Sequence, residues 1–289
     1  MKTVTAFVGS ARKKHTHDAV RRLADSLQRL GDVECEIVGL ADCRVELCRG
    51  CKLCFEKGED ACPHRDDRDA LIEKMMVSDG VIFATPSYMF QVSALMKALI
   101  DRLAFVGHRP RFFGKTYTSV VTQGLFGGGK IVKYLDFVGA CMGFRTVRGI
   151  CVTALEPMTE QESRRIDRAI GKLSARFYRS LVAAKDPTPR LTMLIGFRMG
   201  RASLRANLDE SNLDFRYYAE HGWFDSAYYY PTRLGPLKRL VGRLFDAIGT
   251  RMARAGTRKG NAPRPAAQGS VTRSPPRGRE TGLSRNLPC

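Results

Sequence analysis

The sequence predicts a doubly wound α/β fold: a five-stranded parallel sheet covered on both faces by helices. Short β-branched apolar runs alternate five times with amphipathic helical patterns over residues 2–184. One of these runs, Gly80–Thr85, is almost wholly apolar, as a strand buried on both faces must be. Polar or glycine-rich turns follow the first, third and fourth runs, where ligands of such sheets sit outside the carboxyl ends of the strands.

Lys2–Val8 reads as the first strand, ended by Gly9-Ser10. A helix from Thr16 to Leu30 carries Val20, Leu23, Leu27 and Leu30 on one face. Val33–Val38 is the second strand, followed by a cysteine loop over 47–63 and a short helix, Asp67–Val77, with Leu71, Ile72, Met75 and Met76. After Gly80–Thr85 comes a helix over Ser93–Phe105, with Ser93 as its N-cap. Thr116–Val121 is the fourth strand and Gly128–Met142 its helix; Val147–Thr153 is the fifth strand. The last helix, Glu160–Ala184, turns Ile166, Ile170, Leu173, Phe177 and Leu181 inward.

Beyond this domain, residues 185–255 form an extension. Tyr217-Tyr218, Trp223-Phe224 and Tyr228-Tyr229-Tyr230 give it an aromatic core that packs on the domain or on a partner subunit. Within 236–255, Leu237, Leu240, Val241, Leu244, Ile248 and Met252 form one helical stripe flanked by Lys238, Arg239, Arg243, Arg251 and Arg254. Such a helix either docks on its own domain with its basic face solvated or lies on anionic lipid as a peripheral membrane contact. Residues 256–289, rich in Pro, Gly, Ser and Arg, are expected to be a disordered basic tail.

The net charge is +19, but residues 231–289 hold 13 Lys/Arg against 2 Asp/Glu, which is +11 of it. The basic character is local, which argues against nucleic acid as the partner of the whole protein. Nine cysteines without a secretory leader argue for a reducing, cytoplasmic setting. No run approaches the length of apolar sequence that spans a bilayer.

Four of those cysteines, Cys48, Cys51, Cys54 and Cys62, are spaced C-x2-C-x2-C-x7-C. Packing does not demand such clustering, and thiolates brought together need a cation to neutralise them. The compact run is similar to the ligand runs of ferredoxin-type iron–sulfur clusters, whereas structural zinc prefers two separated C-x2-C knuckles. Free or redox-active thiols are the remaining alternative. His64 reads as a solvated loop histidine, and Cys35, Cys43, Cys141 and Cys151 as unliganded thiols.

The turn after the first strand, Gly9–Thr16, leads into a helix N-terminus and offers Ser10, Arg12, Lys13, His15 and Thr16. Amides, helix dipole and positive charge there suit one phosphate, and no NTPase or dinucleotide glycine pattern is present. After the third strand, Pro86, Ser87, Tyr88, Met89, Phe90 and Gln91 can wall a planar ring, or else cover core or an interface. After the fourth, Gln123, Gly124, Phe126, Gly127 and Gly128 permit close backbone approach to a ligand. A monophosphate site beside two ring-cradling loops describes a phosphorylated planar cofactor, which FMN fits best.

Gly9–Thr16, together with Thr85-Pro86-Ser87-Tyr88, Val92-Ser93-Ala94 and Lys97–Arg102, resembles the flavin loops of the NADPH-dependent FMN reductase family, within the flavodoxin-like fold. The cysteine pattern is similar to that of its iron–sulfur flavoprotein branch. That resemblance implies FMN, a [4Fe–4S] cluster on the four cysteines, and NAD(P)H as co-substrate. It also implies a homo-oligomer, dimer or tetramer, in which a cluster lies near a flavin, often a neighbour's. The expected function is an FMN-dependent oxidoreductase passing electrons between NAD(P)H or a ferredoxin-like protein and an acceptor. No side chain is expected to act as acid or base. A non-catalytic carrier or redox sensor and a zinc-stapled FMN reductase are the alternatives.

Overall fold

A strand apolar on both sides has to lie between neighbours and under two helical layers. The computed structural model describes residues 1–184 and 186–260. The domain runs β1 (Lys2–Val8), α1 (His15–Gln28), β2 (Val33–Gly39), α2 (Leu53–Glu56), α3 (Arg68–Val77), β3 (Gly80–Tyr88), β4 (Gln91–Val92), α4 (Ala94–Arg102), α5 (Ala104–His108), β5 (Thr116–Gln123), α6 (Gly128–Cys141), β6 (Arg145–Thr146), β7 (Ile150–Thr153) and α7 (Glu160–Leu181). The extension adds α8 (Leu191–Asn207), α9 (Leu213–Glu220) and α10 (Pro236–Gly260). The sheet order is β2-β1-β3-β5, with β6 and β7 both parallel to β5. This is the expected flavodoxin-like winding, and the order reverses between β1 and β3.

Side-chain alternation sorts the core into two layers. Val4, Ala6 and Val8 of β1 and Ile82 and Ala84 of β3 face Val20, Leu23 and Leu27 of α1 and Ile166, Ile170 and Phe177 of α7. Phe7, Val81, Phe83 and Tyr117 face Met75 of α3, Met96 and Leu99 of α4 and Leu135 of α6. Each fully buried phenylalanine, such as Phe7 or Phe83, stabilises the fold by about 1.5–3 kcal/mol.

The expected fifth strand, Val147–Thr153, begins only at Ile150, and a separate short strand, Arg145–Thr146, precedes it. Gly149 N–H donates to the carboxylate of Asp136 on α6 (3.2 and 3.3 Å). Its backbone lies so close to β5 that a Cβ would meet the Ser119 carbonyl oxygen at 2.4 Å. The third strand outlasts its expected end at Thr85, reaching Tyr88 and turning back through β4. The helix expected over Ser93–Phe105 is broken after Arg102 into α4 and α5, and Ser93 caps α4 by accepting from Met96 N–H (3.2 Å).

The extension has its own aromatic core of Leu194, Phe197, Tyr218, Trp223, Phe224, Tyr228 and Leu234, packed on Phe113 of the domain. The indole N–H of Trp223 donates to the Tyr229 carbonyl (3.0 Å). Asp214 of α9 pins it to the domain by accepting from Arg109 and pairing with His108 (3.0 Å). In α10 the expected apolar stripe does not dock as one face. Gly242 and Gly249 make the close approach to α8, and Asp246 accepts from Arg198 and Arg201 (2.8 Å each). Residues 256–260 of the expected tail continue this helix; the rest of it, with Cys289, lies outside the described residues. No described helix is long and apolar enough to cross a membrane.

Candidate functional site

Parallel winding brings the carboxyl ends of β1, β3, β5 and β7 to one edge of the sheet, at the order reversal. A cleft of about 160 Å³ opens there, lined by Ser10, Arg12, Lys14, His15, Thr16, Pro86, Ser87, Tyr88, Thr122, Gln123, Gly124 and Ala154. Gly9 lets β1 approach α4, since a Cβ there would meet Ser93 Oγ and Met96 Cβ at 2.8 Å. Ser10 Oγ donates to the Arg12 carbonyl (2.9 Å), closing the turn. Helix α1 then starts without a side-chain cap, so its first amides remain available to an anion. Thr16 Oγ1 lies 2.7 Å from Thr122 Oγ1, a buried hydroxyl pair joining helix to sheet. Lys14 and His15, in the cleft lining, also pair with Glu156 (3.0 and 3.2 Å), and Lys14 holds that carboxyl below its ordinary pKa.

Above the cleft lies an apolar shelf. Met89 and Phe90 form the turn of the β3–β4 hairpin with φ of 45° and 62°, a left-handed backbone unusual for bulky residues. Such strain gathers at ligand-binding segments. Phe90 faces Phe126 across the two loops (centroids 5.4 Å apart), and it closes on Gly127, where a Cβ would meet its ring at 2.8 Å. Tyr88, Met89, Phe90, Leu125 and Phe126 are all exposed, a contiguous patch of the kind that marks a ligand or partner site. Gln123 organises the glycine turn: its Oε1 accepts from Gly128 N–H (2.7 Å), and its Nε2 donates to Leu125 O and Thr153 Oγ1.

The cysteine loop lies between β2 and α3, beneath α4 and α5. Cys48 and Cys51 are exposed on coil, Cys54 is half-buried on α2, and Cys62 is buried. Cys62 Sγ accepts from Arg102 Nη1 (2.8 Å). Burial works to raise that thiol's pKa, but the Arg102 bond and charge bring it below the ordinary value. For Cys54, burial and then Cys48 and Cys62 push the thiol up. Arg102 is clamped by Asp66 (2.9 Å), both nearly fully buried, while Arg109 donates to the Cys54 carbonyl (2.6 Å). Arg68, Arg109 and Arg111 surround the Phe105 ring at 5.2–5.6 Å. Arg68 is 2% exposed, and its Nη1 has no partner among the described residues, nor has His64 Nε2. His64 is therefore partly enclosed rather than a solvated loop histidine. No group of three His, Cys, Asp or Glu among the described residues is gathered closely enough to hold a metal ion.

Residues 2–156 match the profile of the NADPH-dependent FMN reductase family. The chain belongs to that family. Among its relatives, an iron–sulfur flavoprotein of Archaeoglobus fulgidus is 36% identical over 140 residues, 48% of this chain and 67% of that protein. A second from the same organism is 40% identical over 123 residues, 42% of this chain and only 54% of its own length. An iron–sulfur flavoprotein of Clostridioides difficile is 26% identical over 67% of this chain and 85% of its own. A crystal structure titled RosB with bound 8-demethyl-8-formylriboflavin-5'-phosphate shares the fold, with a TM-score of 0.53 and 10% identity over 100% of this chain and 99% of that one.

For this reductase-family chain, the residues fit a flavin monophosphate. The uncapped α1 N-terminus beside Ser10, Arg12 and Thr16 suits one phosphate, and the exposed shelf suits a flat ring. The four cysteines have the donor chemistry of an anionic cluster's ligands, with one sulfur accepting from Arg102 and a buried Arg68 N–H without a partner among the described residues, although the four sulfurs are not gathered as a ligand set. Ser10, Arg12, His15, Thr16, Pro86, Ser87, Tyr88, Gln123 and Gly124 are brought together, whereas Lys13, Met89, Phe90, Gln91, Phe126, Gly127 and Gly128 are not in the cleft lining. Thr122 and Ala154 were not legible because they sit one residue beyond the strand ends read from apolar runs. Arg102 and Asp66, which frame Cys62, lie apart in sequence and carry no motif signal for that pairing.

Proposed function

We propose that the protein is an FMN-dependent oxidoreductase that takes electrons from NAD(P)H or a protein donor and passes them on singly through a [4Fe–4S] cluster held by Cys48, Cys51, Cys54 and Cys62. The observation that carries the reading is the buried Cys62 sulfur, hydrogen-bonded to Arg102 at the end of a four-cysteine loop. When bound, FMN accepts hydride as an electron pair and releases electrons singly, and an iron–sulfur cluster carries one electron at a time. The chain's own residues bind and orient. The α1 amides, Ser10, Arg12 and Thr16 hold the phosphate, and Gln123 sets the glycine turn that approaches the ring. Arg102 stabilises ligand negative charge at Cys62. The names of the iron–sulfur flavoprotein relatives support the cluster over zinc. The exposed aromatic shelf supports a homo-oligomer in which a second subunit covers the ring.

Anaerobic purification with iron, sulfide, zinc and flavin analysis, followed by NAD(P)H turnover, tests this directly. Iron and sulfide near four per chain with FMN near one (roughly, for one cubane) and steady turnover are expected. Zinc without sulfide removes the cluster, and flavin with no turnover makes the protein a carrier.

A further inference from the structure

Helix α10 turns its leucines outward. Leu237, Leu240 and Leu244 are 71%, 67% and 55% exposed, and Met252 is 61% exposed. The cause lies on the opposite face: Gly242 and Gly249 allow α10 to press against Arg198, Met199 and Ala202 of α8, and Asp246 is held by Arg198 and Arg201. Beside the start of this leucine row lies a second pocket, of about 500 Å³, lined by Arg198, Ala227, Thr232, Arg233, Leu234, Arg239 and Arg243. Only Arg198 of its four arginines has a carboxylate partner among the described residues. Its own Nε is buried with no partner among the described residues. Unpaired cations next to an outward apolar row match an anionic lipid surface in both charge and polarity.

We propose that this face binds the surface of anionic phospholipid bilayers: the pocket of Arg198, Arg233, Arg239 and Arg243 takes a lipid phosphate, while Leu237, Leu240 and Leu244 enter the interface. Charge complementarity selects this occupant. Residues 231–289 carry 13 Lys/Arg against 2 Asp/Glu, the sign that an anionic leaflet attracts. Three leucines on one helix face add the apolar contact that a purely polyanionic partner leaves unused. A nucleic acid, a free phosphate or an apolar protein partner each satisfies only one half of the surface.

The experiment is co-sedimentation of the full-length, flavin-loaded chain with vesicles of phosphatidylcholine alone and of equal parts phosphatidylcholine and phosphatidylglycerol. Binding to the anionic vesicles only is expected, weakening as salt is added. Arg239→Gln and Arg243→Gln should each weaken it about five-fold, equivalent to about 1 kcal/mol per cation near the surface. Leu240→Asn/Leu244→Asn should weaken it at least as much as the two arginine changes together. All these side chains border solvent, so unchanged flavin content reports an intact fold. The proposal is overturned if the chain ignores both vesicle types, or if the leucine variant binds like the parent while the arginine variants do not. That last result, or competition by inorganic phosphate alone, means a simple polyanion site. Binding equally to neutral vesicles means an apolar surface without lipid charge recognition.

Discussion

In the β1–α1 cleft, the groups facing a ligand are held by the sheet, through the Thr16–Thr122 hydroxyl pair, the Ser10 turn and the cap-free start of α1. In the cysteine loop they are held by charge: Arg102 with Asp66, Arg109 with Asp214 and Glu59, and Arg68 against Phe105. The first kind of site is shaped by strand register and survives the loss of one side chain. The second depends on each buried ion keeping its partner, because an unpaired charge in the interior is costly. Within the loop the same contrast recurs, with Cys54 and Cys62 set among these ions and Cys48 and Cys51 on exposed coil around left-handed Gly50 and Lys52.

Changes that separate the two regions should range from total to slight. Cys51→Ser is expected to abolish the cluster's broad visible absorbance and its iron and sulfide while the flavin stays bound; loss of flavin instead would make the loop a structural part of the cleft. Next come the buried ions. Arg102→Gln strips the charged partner from Asp66, and Asp214→Asn leaves Arg109 with Glu59 as its remaining carboxylate. The first should cost about 3–5 kcal/mol and the second less, read from urea unfolding. The Asp214 variant should also shift the fluorescence of Trp223, the single tryptophan, because it undocks the extension. Equal, small losses of under about 1 kcal/mol would show that these pairs behave like surface ions.

The pH dependence follows the same pairs. Burial raises the carboxyls of Asp66, Glu59 and Asp214, but their hydrogen bonds to Arg102, to Arg111 and to His108 with Arg109 prevail and leave each below its ordinary value. A depressed folded value means that their stabilisation is present above the ordinary carboxylate pKa and is lost as pH falls through the depressed one. Trp223 fluorescence should therefore stay constant through neutral and mildly acid pH and change only below the ordinary carboxylate range. A midpoint near neutrality would point to histidine instead.

At the cleft, Arg12→Ala should weaken FMN about tenfold, as loss of one charge-assisted contact does, and leave riboflavin affinity unchanged. Equal loss for both would place Arg12 away from the phosphate. The smallest effect belongs to the shelf. Met89→Asn, which tolerates left-handed backbone better, should raise stability by about 1 kcal/mol or less, seen as a modest rise in Tm.

Periodicity made the sheet, both helical layers and the Ser93 cap legible, and glycine placement marked the loops that line the cleft. The break at Gly149 was not legible, because it comes from an Asp136 carboxylate on another element. The Met89–Phe90 hairpin was hidden because neither residue type is one that a left-handed turn favours. His64 read as solvated because burial of a loop histidine depends on what folds over it.

By itself the sequence determined the winding, the phosphate turn and the four-cysteine spacing, since these rest on residue period and local backbone chemistry. Only the tertiary structure decided that Arg102 reaches Cys62, that Thr122 meets Thr16, and that α10 docks by Gly242, Gly249 and Asp246 and leaves its leucines outside. Those are contacts between distant segments. Their partners are chosen by shape and by pairing of buried charge, neither of which is written in the order of residues along one element.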